Sequence, residues 1–517
     1  MAVLDIKGFF FSARKYLCCS LILFSSNSFS SDSKLVENRS WVKVTSPGFE
    51  IISDASKGSV KRLAEKLERF KYAVEMFTTV KLSKDDRPVT VLAISDGRVF
   101  DLVAGDDGYG ENFSGWFEES TRGNYAVIKL QKGWWKKSTR YQTSESILFH
   151  EYVHYISYFW KGEVFPKWYG EGLAEYLSTL TFKKNKGSVG LPLHYHIQFL
   201  RHNGLAPIES LLKASAYPQG EAELSLFYAQ SWAFVHYLSA LESRKDSLRV
   251  YLSLNSSGSD IDSAFKEAFK VDYAGMDKRL RKYLNANEFR YFEFSLDSER
   301  LEAAYEFKRL NDEEILVDVG RYLIGTQGGR DKALLMFERA LEINPKYMPA
   351  MAGRVYFDIS GGEGSSIGDS QVSKLEDYSG SAWVDLVLGH IYSGRIVKHN
   401  NADEISSSLA NKALSAYGRA GAEATNIEAM LGIGGVYFAL GRLDKALEFY
   451  EAAAMYAPSN DDVLRSLIVA YYASDRIDLA ADSIYKLVNK YHLSSEIISD
   501  IDKWLDGVRD GYVESLE

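Results

Sequence analysis

Two histidines four residues apart impose the first structural requirement on this chain, because the residues around them must be helical. His150 and His154 share one face only on an α-helix, where positions i and i+4 point the same way. Glu151 then lies about 100° further round that helix, beside the shared face without being on it. Thr143 and Ser144 are both suitable N-cap residues. The sequence therefore predicts a helix that starts at this point and presents both imidazoles together.

A third metal ligand is expected from the segment that follows. Residues 166–176 read PKWYGEGLAEY, and the proline at its start predicts a second helix returning toward the first. Glu171 lies 17 residues after His154, which leaves room for that return. With His150 it would complete three protein ligands and leave a fourth position open, as in catalytic zinc sites. Glu175, one turn further, would accept the free ring N–H of a ligand histidine.

These two segments together resemble the gluzincin metallopeptidases, the group that includes thermolysin and aminopeptidase N. The HExxH helix followed by W-x-x-E-G-x-A-E-Y is most similar to a bacterial peptidase-MA-like family with C-terminal tetratricopeptide repeats, over about residues 40–285. The resemblance implies Zn2+ as the cofactor, held by His150, His154 and Glu171. It implies Glu151 as the general base and a peptide or protein as the substrate.

The same resemblance implies a catalytic role for a tyrosine further along the chain. Residues 226–232, LFYAQSW, are similar to the segment that supplies the transition-state tyrosine in aminopeptidase N-like enzymes. This would make Tyr228 the donor to the developing oxyanion. The alternative is that Tyr228 is a core aromatic on an apolar helix, since aromatic residues at helical spacing usually serve packing.

The residues ahead of the HExxH helix predict a sheet. Strands are expected at 41–53, 88–94 and 124–130 with helices between them, which indicates an α+β layer. In gluzincins an edge strand before the active helix pairs with extended substrate through its main chain. The last strand is the candidate for this role, and an interior strand without a ligand role is the alternative. The predicted substrate contacts are Asn124, Ala126 and Ile128.

Three other groups of residues allow two interpretations each. Residues 108–112, GYGEN, resemble the G-x-M-E-N exopeptidase segment except that Gly110 replaces the methionine, and a turn is the alternative. His194 and His196 could bind metal from one face of a strand, or could be packed or solvated histidines. His236 could be a second proton donor or a buried structural histidine.

Composition limits the class of protein. The 517 residues, 46% of them apolar, are enough for two domains with separate cores. A net charge of −9 and a pI near 5.7 argue against a nucleic-acid partner, which normally leaves a basic footprint. Cys18 and Cys19 are the only cysteines, so a cysteine-based zinc site is excluded.

The N-terminus indicates export. Residues 1–30 run from basic to apolar to serine-rich, the order of a secretory signal peptide, which predicts a periplasmic or secreted protein. An uncleaved membrane anchor is the alternative, but this apolar core is far shorter than the roughly 18 residues that span a bilayer. No later stretch approaches that length, so no transmembrane helix is expected in the mature chain.

From about residue 300 the pattern changes to successive helices. The fullest unit places small and aromatic residues at tetratricopeptide spacing: Gly434, Tyr437, Gly441, Ala446, Tyr450, Ala453 and Pro458. Related positions recur one period of about 34 residues before and after it. Residues 359–380, rich in Gly, Ser and Asp, are expected to form a loop or a degenerate unit. The groove of such an array could bind a partner protein or could be only a rigid extension.

The sequence thus predicts an α+β, thermolysin-like catalytic domain followed by an all-α tetratricopeptide solenoid. The expected boundaries are 1–30 for the signal peptide, 38–290 for the metallopeptidase domain and 300–500 for the repeats. One alternative is a non-catalytic scaffold of the cell envelope with a structural or vestigial metal site. Another is hydrolysis of a non-peptide amide by the same chemistry.

Overall fold

The architecture is known from a computed structural model of the chain. It describes residues 32–77, 88–104, 115–130, 143–157, 165–214, 217–218, 220–297, 305–326, 328–361, 367–378, 381–398, 403–421, 426–458 and 460–491. The predicted signal peptide, 1–30, lies outside these residues. None of the described helices combines the length and the hydropathy that a membrane crossing needs.

Two sheets lie in the N-terminal half. Their strands are β1 (Val42–Thr45), β2 (Phe49–Ser53), β3 (Val89–Ile94), β4 (Gly115–Ser120), β5 (Gly123–Lys129), β6 (Thr181–Lys183), β7 (Lys186–Val189), β8 (Phe292–Ser295) and β9 (Glu306–Arg309). The larger sheet has six strands in the order β4-β5-β3-β2-β1-β9, and the smaller has three in the order β6-β7-β8. In the larger sheet β2, β3 and β5 run parallel, whereas β4, β1 and β9 pair antiparallel with their neighbours.

Helices form most of the described chain outside these strands. Those of the N-terminal half are α1 (Lys57–Phe77), α2 (Gly97–Ala104), α3 (Ser144–Ser157), α4 (Lys167–Ser178), α5 (His194–Asn203), α6 (Ile208–Leu212), α7 (Glu221–Ser239), α8 (Glu242–Ser256), α9 (Ile261–Phe269) and α10 (Tyr273–Ala286). Those of the C-terminal half are α11 (Asp312–Leu323), α12 (Arg330–Ile343), α13 (Met348–Ser360), α14 (Asp369–Glu376), α15 (Ala382–Lys398), α16 (Asp403–Gly421), α17 (Ile427–Ala439), α18 (Leu443–Tyr456), α19 (Asp461–Ala473) and α20 (Ile477–Tyr491).

The first predicted strand, 41–53, is a hairpin of two strands. The Ser46-Pro47-Gly48 segment turns the chain, and Ser46 N donates to Phe49 O at 2.9 Å. Proline lacks the N–H that a continuous ladder needs, and glycine permits the turn. The other two predicted strands are present as β3 and β5, within one residue of their expected ends.

The two faces of the large sheet bury different partners. Along β5, Ala126 and Ile128 enter one core with α1, α3, α4 and α7, whereas Tyr125 and Val127 enter a second core with α2 and the helices from α11 to α17. This alternation is the period-two pattern of a strand buried on both faces. The expected separate cores are therefore wrong in part, because the C-terminal helices pack directly on the sheet.

The predicted boundary near residues 290–300 is also crossed by main-chain pairing. Strand β8 pairs with β7 and strand β9 pairs with β1, so both lie within the N-terminal sheets. Such short, irregular strands carry little sequence signal, and their pairing is fixed by tertiary contacts.

The C-terminal helices stack as pairs with small and aromatic residues at their contacts. In the described chain the pairs are α11 and α12, α13 and α14, α15 and α16, α17 and α18, α19 and α20; successive first members contact each other. A Cβ placed on Gly434 would lie 2.3 Å from Tyr450 Cε1, and one on Gly389 would lie 2.5 Å from Tyr417. Within the stretch expected to be irregular, 359–380, the described residues form the end of α13 and the short helix α14, in agreement with a degenerate unit.

Gly434→Ala is expected to destabilise the repeat region by about 1–3 kcal/mol, because the added methyl overlaps the Tyr450 ring. Gly435→Ala is the matched control on the same helix, since its nearest neighbour would be Tyr450 Oη at 3.9 Å. That control should instead stabilise by about 0.5–1 kcal/mol through helix propensity. Urea unfolding followed by circular dichroism measures both. Equal shifts in the two variants would contradict the close packing of Gly434 on Tyr450.

Candidate metal centre

Helix α3 is positioned by its first turn. Of the two predicted cap residues, Thr143 caps the helix: its Oγ1 accepts from Ser146 N at 3.2 Å. Glu145 in the first turn is buried and forms an ion pair with Lys66 of α1. The cap fixes where the helix begins, and the ion pair ties it to α1. Together they set the direction in which the following two turns present their histidines.

Helix α4 returns toward α3 and packs closely on α7. It begins at Lys167, after Pro166, as the proline predicts. A Cβ on Gly172 would lie 2.4 Å from the Ser231 carbonyl oxygen of α7, so only glycine permits this approach. The glycine next to Glu171 thus brings α7, with Tyr228, against the helix that carries the predicted glutamate ligand.

The three predicted ligands converge. His150 Nε2 and His154 Nε2 are 3.0 Å apart, and each lies 3.2 Å from Glu171 Oε2. Tetrahedral zinc with bonds of about 2.0–2.1 Å separates its ligand atoms by roughly 3.3 Å. The side-chain donors therefore fit such an ion in both type and spacing. Among the described residues, these three side chains are the group of at least three His, Cys, Asp or Glu whose ligand atoms lie close enough together to hold one metal ion.

The electrostatic environment favours a cation at this point. Burial alone would lower the pKa of His150, but Glu171 and Glu175 raise it to about 9. Burial would raise the pKa of Glu171, yet the two histidines outweigh it and hold the pKa well below its usual range. Burial raises the pKa of Glu151, and the histidines offset part of that rise. Side-chain exposure is 8% for His150 and 27% for His154, which leaves the His154 side open to solvent.

Glu175 lies behind His150, where the sequence places it, but the predicted hydrogen bond to the His150 ring is not formed. Its Oε1 is 3.6 Å from His150 Nδ1, at ion-pair distance but outside hydrogen-bond geometry. Its Oε2 accepts from Tyr195 Oη at 3.1 Å and lies 3.3 Å from His196 Nε2. Burial would raise the pKa of Glu175, but His196 and His150 outweigh it and lower the pKa. The site is thus backed by a further layer from α5.

Two tyrosines lie near Glu171. Tyr228 is mostly buried beside His150, with ring centroids 6.0 Å apart, and its hydroxyl is close enough to Glu171 to feel the charge of that carboxylate. Burial and the neighbouring carboxylates raise the Tyr228 pKa, so the hydroxyl stays a donor. Tyr217 was not among the predicted residues, yet its Oη donates to Glu171 Oε1 at 2.7 Å. It precedes α7 in an irregular segment, where no periodicity could single it out.

Strand β5 is interior, so its predicted pairing with substrate is wrong. Residues 124–129 pair with β3 on one side, and residues 123–128 pair with β4 on the other. Asn124, Ala126 and Ile128 are buried and have no free main-chain edge. Among the described strands the last one on this side of the sheet is β4, which packs against α3. Its sequence, GWFEES, follows a glycine-rich stretch and was not recognised as a strand.

Three further histidines are candidates from sequence for a metal or catalytic role. His194 and His196 lie on a helix, where residues two apart point to different faces, so the strand-based metal pair is wrong. His236 is buried, with Nδ1 2.7 Å from Tyr283 Oη and Nε2 2.8 Å from the Gly190 carbonyl. Burial lowers its pKa to about 4, which fits the structural interpretation. The GYGEN segment, 108–112, lies outside the described residues.

Comparison with known proteins identifies the repeat region alone. No curated protein matches the chain. Among solved structures, a crystal structure of a thermophilic TPR protein in Thermus thermophilus is similar, at 21% identity over 37% of this chain and 97% of that chain, with a TM-score of 0.30. The tetratricopeptide repeat family matches residues 427–460, which cover α17 and α18. Residues 427–460 are therefore a tetratricopeptide repeat.

Proposed function

We propose that this chain is a zinc-dependent metallopeptidase whose tetratricopeptide array serves protein interaction. The observation that carries the proposal is the convergence of His150, His154 and Glu171 within 3.2 Å of one another, with Glu151 on the same helix. A purely structural zinc site has four protein ligands and no use for an adjacent carboxylate base. The N-terminal sequence extends the proposal to an exported protein.

In the proposed mechanism, each of the chain's side chains has one role. A bound zinc ion would lower the pKa of a ligated water to about 7 and polarise the scissile carbonyl. Glu151 takes the proton of the attacking water and passes it to the leaving amine. Tyr228 donates its hydroxyl to the oxyanion, an interaction of about 3 kcal/mol for a single donor. Glu175 keeps the His150 ring oriented.

Strand β4 borders the proposed site. The ring of Phe117 on β4 lies 5.0 Å from Tyr155 of α3, which places the strand close to the helix that carries the proposed ligands.

The direct test measures metal and hydrolysis together. The full chain, purified without chelator, should contain about one zinc per molecule by mass spectrometry and should cleave a peptide library; N-acyl amides test the non-peptide alternative. Glu171→Gln should lose the zinc, whereas Glu209→Gln, an exposed carboxylate on α6, should keep it. Wild-type protein that binds zinc but cleaves neither substrate class would favour the scaffold alternative. Protein without zinc would overturn the proposal.

A further inference from the structure

The hairpin of β4 and β5 lies against the inner side of the helical array. We call the first members of the helix pairs, α11, α13, α15, α17 and α19, the leading helices. Trp116 Nε1 of β4 donates to Tyr322 Oη of α11 at 3.0 Å, and the Tyr125 ring of β5 meets that tyrosine edge-on at 5.1 Å. At the hairpin turn, the Thr121 carbonyl accepts from Glu428 N of α17 at 3.2 Å.

An arginine in the same turn enters a buried polar network. Arg122 Nη1 donates to Tyr356 Oη of α13 at 3.2 Å, and that hydroxyl donates to Glu428 Oε1 at 2.6 Å. His390 Nε2 of α15 lies 3.0 Å from the same oxygen, and Tyr417 Oη lies 2.9 Å from His390 Nδ1. Helices α13 and α17 therefore contact the turn directly, and α15 joins the same network through Glu428.

The positions of these residues follow the repeat. Tyr322, Tyr356 and His390 are separated by 34 residues each (356 − 322 and 390 − 356), the period of about 34 that tetratricopeptide units have. They therefore occupy the same place in three successive units and form one polar stripe on the leading helices. Stacked repeats use such a concave surface for binding. Here the stripe faces a segment of the same chain.

Charge explains why the contact is specific. Burial would raise the pKa of Glu428, but the hydrogen bond from His390 and the charge of Arg122 outweigh it and lower the pKa to about 2. The carboxylate is thus ionised although it is buried, and a buried charge is stable only with a counter-charge nearby. Arg122 supplies that charge from the hairpin. Removing it would leave Glu428 uncompensated inside the array.

We propose that the array binds the chain's own hairpin as an internal ligand, with Arg122 as the anchor, and thereby holds strand β4 in place beside α3. Strand β4 is fixed from two sides: Phe117 contacts Tyr155 of α3, and Trp116 contacts Tyr322 of α11. The helical repeats then act as a clamp on β4, whether or not the chain hydrolyses peptides.

Hydrogen–deuterium exchange of the full chain tests the clamp. Arg122→Gln and Glu428→Gln should each speed exchange of the amides of residues 115–129 by about tenfold or more, as expected for the loss of a hydrogen bond to a buried charge. The double variant should add little beyond either single change, because both remove the same interaction. Arg122→Lys, which keeps the charge, should give a smaller effect.

The matched control removes an arginine pair elsewhere in the array. Arg419 of α16 donates to Asp385 of α15 at 2.7 Å, away from the hairpin. Arg419→Gln should leave exchange of residues 115–129 unchanged. Unchanged hairpin exchange in Arg122→Gln would overturn the clamp. So would equal acceleration in Arg122→Gln and Arg419→Gln, which would indicate only general loosening. Should Glu428→Gln fail to fold, the comparison of Arg122→Gln with Arg419→Gln decides alone.

Discussion

Glu151→Gln is expected to lower kcat by about 10²–10⁴-fold, the usual contribution of a positioned general base, while leaving zinc content unchanged. Glutamine keeps the shape of the side chain but cannot accept the proton of the attacking water. The residue lies between His150 and His154 in sequence, and the helix turns it away from the ligand position. This variant should therefore keep its zinc but lose proton transfer from the attacking water.

The measurement compares initial rates on a cleavable peptide with zinc stoichiometry on the same preparation. Glu267→Gln is the matched control, because it makes the same chemical change at an exposed position of α9. Its kcat, zinc content and melting temperature should equal those of the wild type. Full activity in Glu151→Gln would remove the general-base assignment, and loss of zinc in that variant would show that Glu151 acts as a ligand.

The convergence of the three proposed metal ligands was predictable from sequence because its information is local. Helical periodicity alone places His150 and His154 on one face, and the proline before α4 signals the return that brings Glu171 to them. Glu175 follows from the same periodicity, one turn beyond. In each case a spacing along the chain becomes a distance in space without any knowledge of the remaining fold.

The features that sequence did not predict depend on contacts between distant segments. Strand β5 reads as a possible edge because β4, its neighbour, has weak alternation, and only the pairing of the two shows that β5 is interior. Tyr217 reaches Glu171 from an irregular segment that carries no periodicity. The sharing of a core between the sheet and the helical array likewise depends on how two separately recognisable regions pack.

The repeat region was predictable from sequence in part. Its 34-residue period predicted helix pairs with small residues where the helices touch and aromatic residues between them, and the contact of Gly434 with Tyr450 is one such case. The same period marks Tyr322, Tyr356 and His390 as equivalent. The turn at Arg122, near which they lie, could not be predicted. It belongs to the sheet, and Arg122 precedes Tyr356 by 234 residues in the chain.

Removing the hydroxyl of Tyr228 and removing that of Tyr217 should affect different properties, kcat in the first case and zinc affinity in the second. Tyr228→Phe is expected to lower kcat by about 10²–10³-fold with little change in KM or zinc affinity, as for the loss of one oxyanion donor. Its ring lies 6.0 Å from the His150 ring, beside the proposed ligands. The interaction with substrate would form only as negative charge develops on the carbonyl oxygen.

Tyr217→Phe is expected to act on the metal instead. Its hydroxyl donates to Glu171 Oε1 at 2.7 Å, and losing such support of a ligand typically weakens metal binding by about 10–100-fold. Zinc titration with a competing chelator measures this, and kcat at saturating zinc should stay close to that of the wild type. The opposite pattern, with kcat lost in Tyr217→Phe and kept in Tyr228→Phe, would transfer the oxyanion role to Tyr217 and return Tyr228 to a packing role on α7.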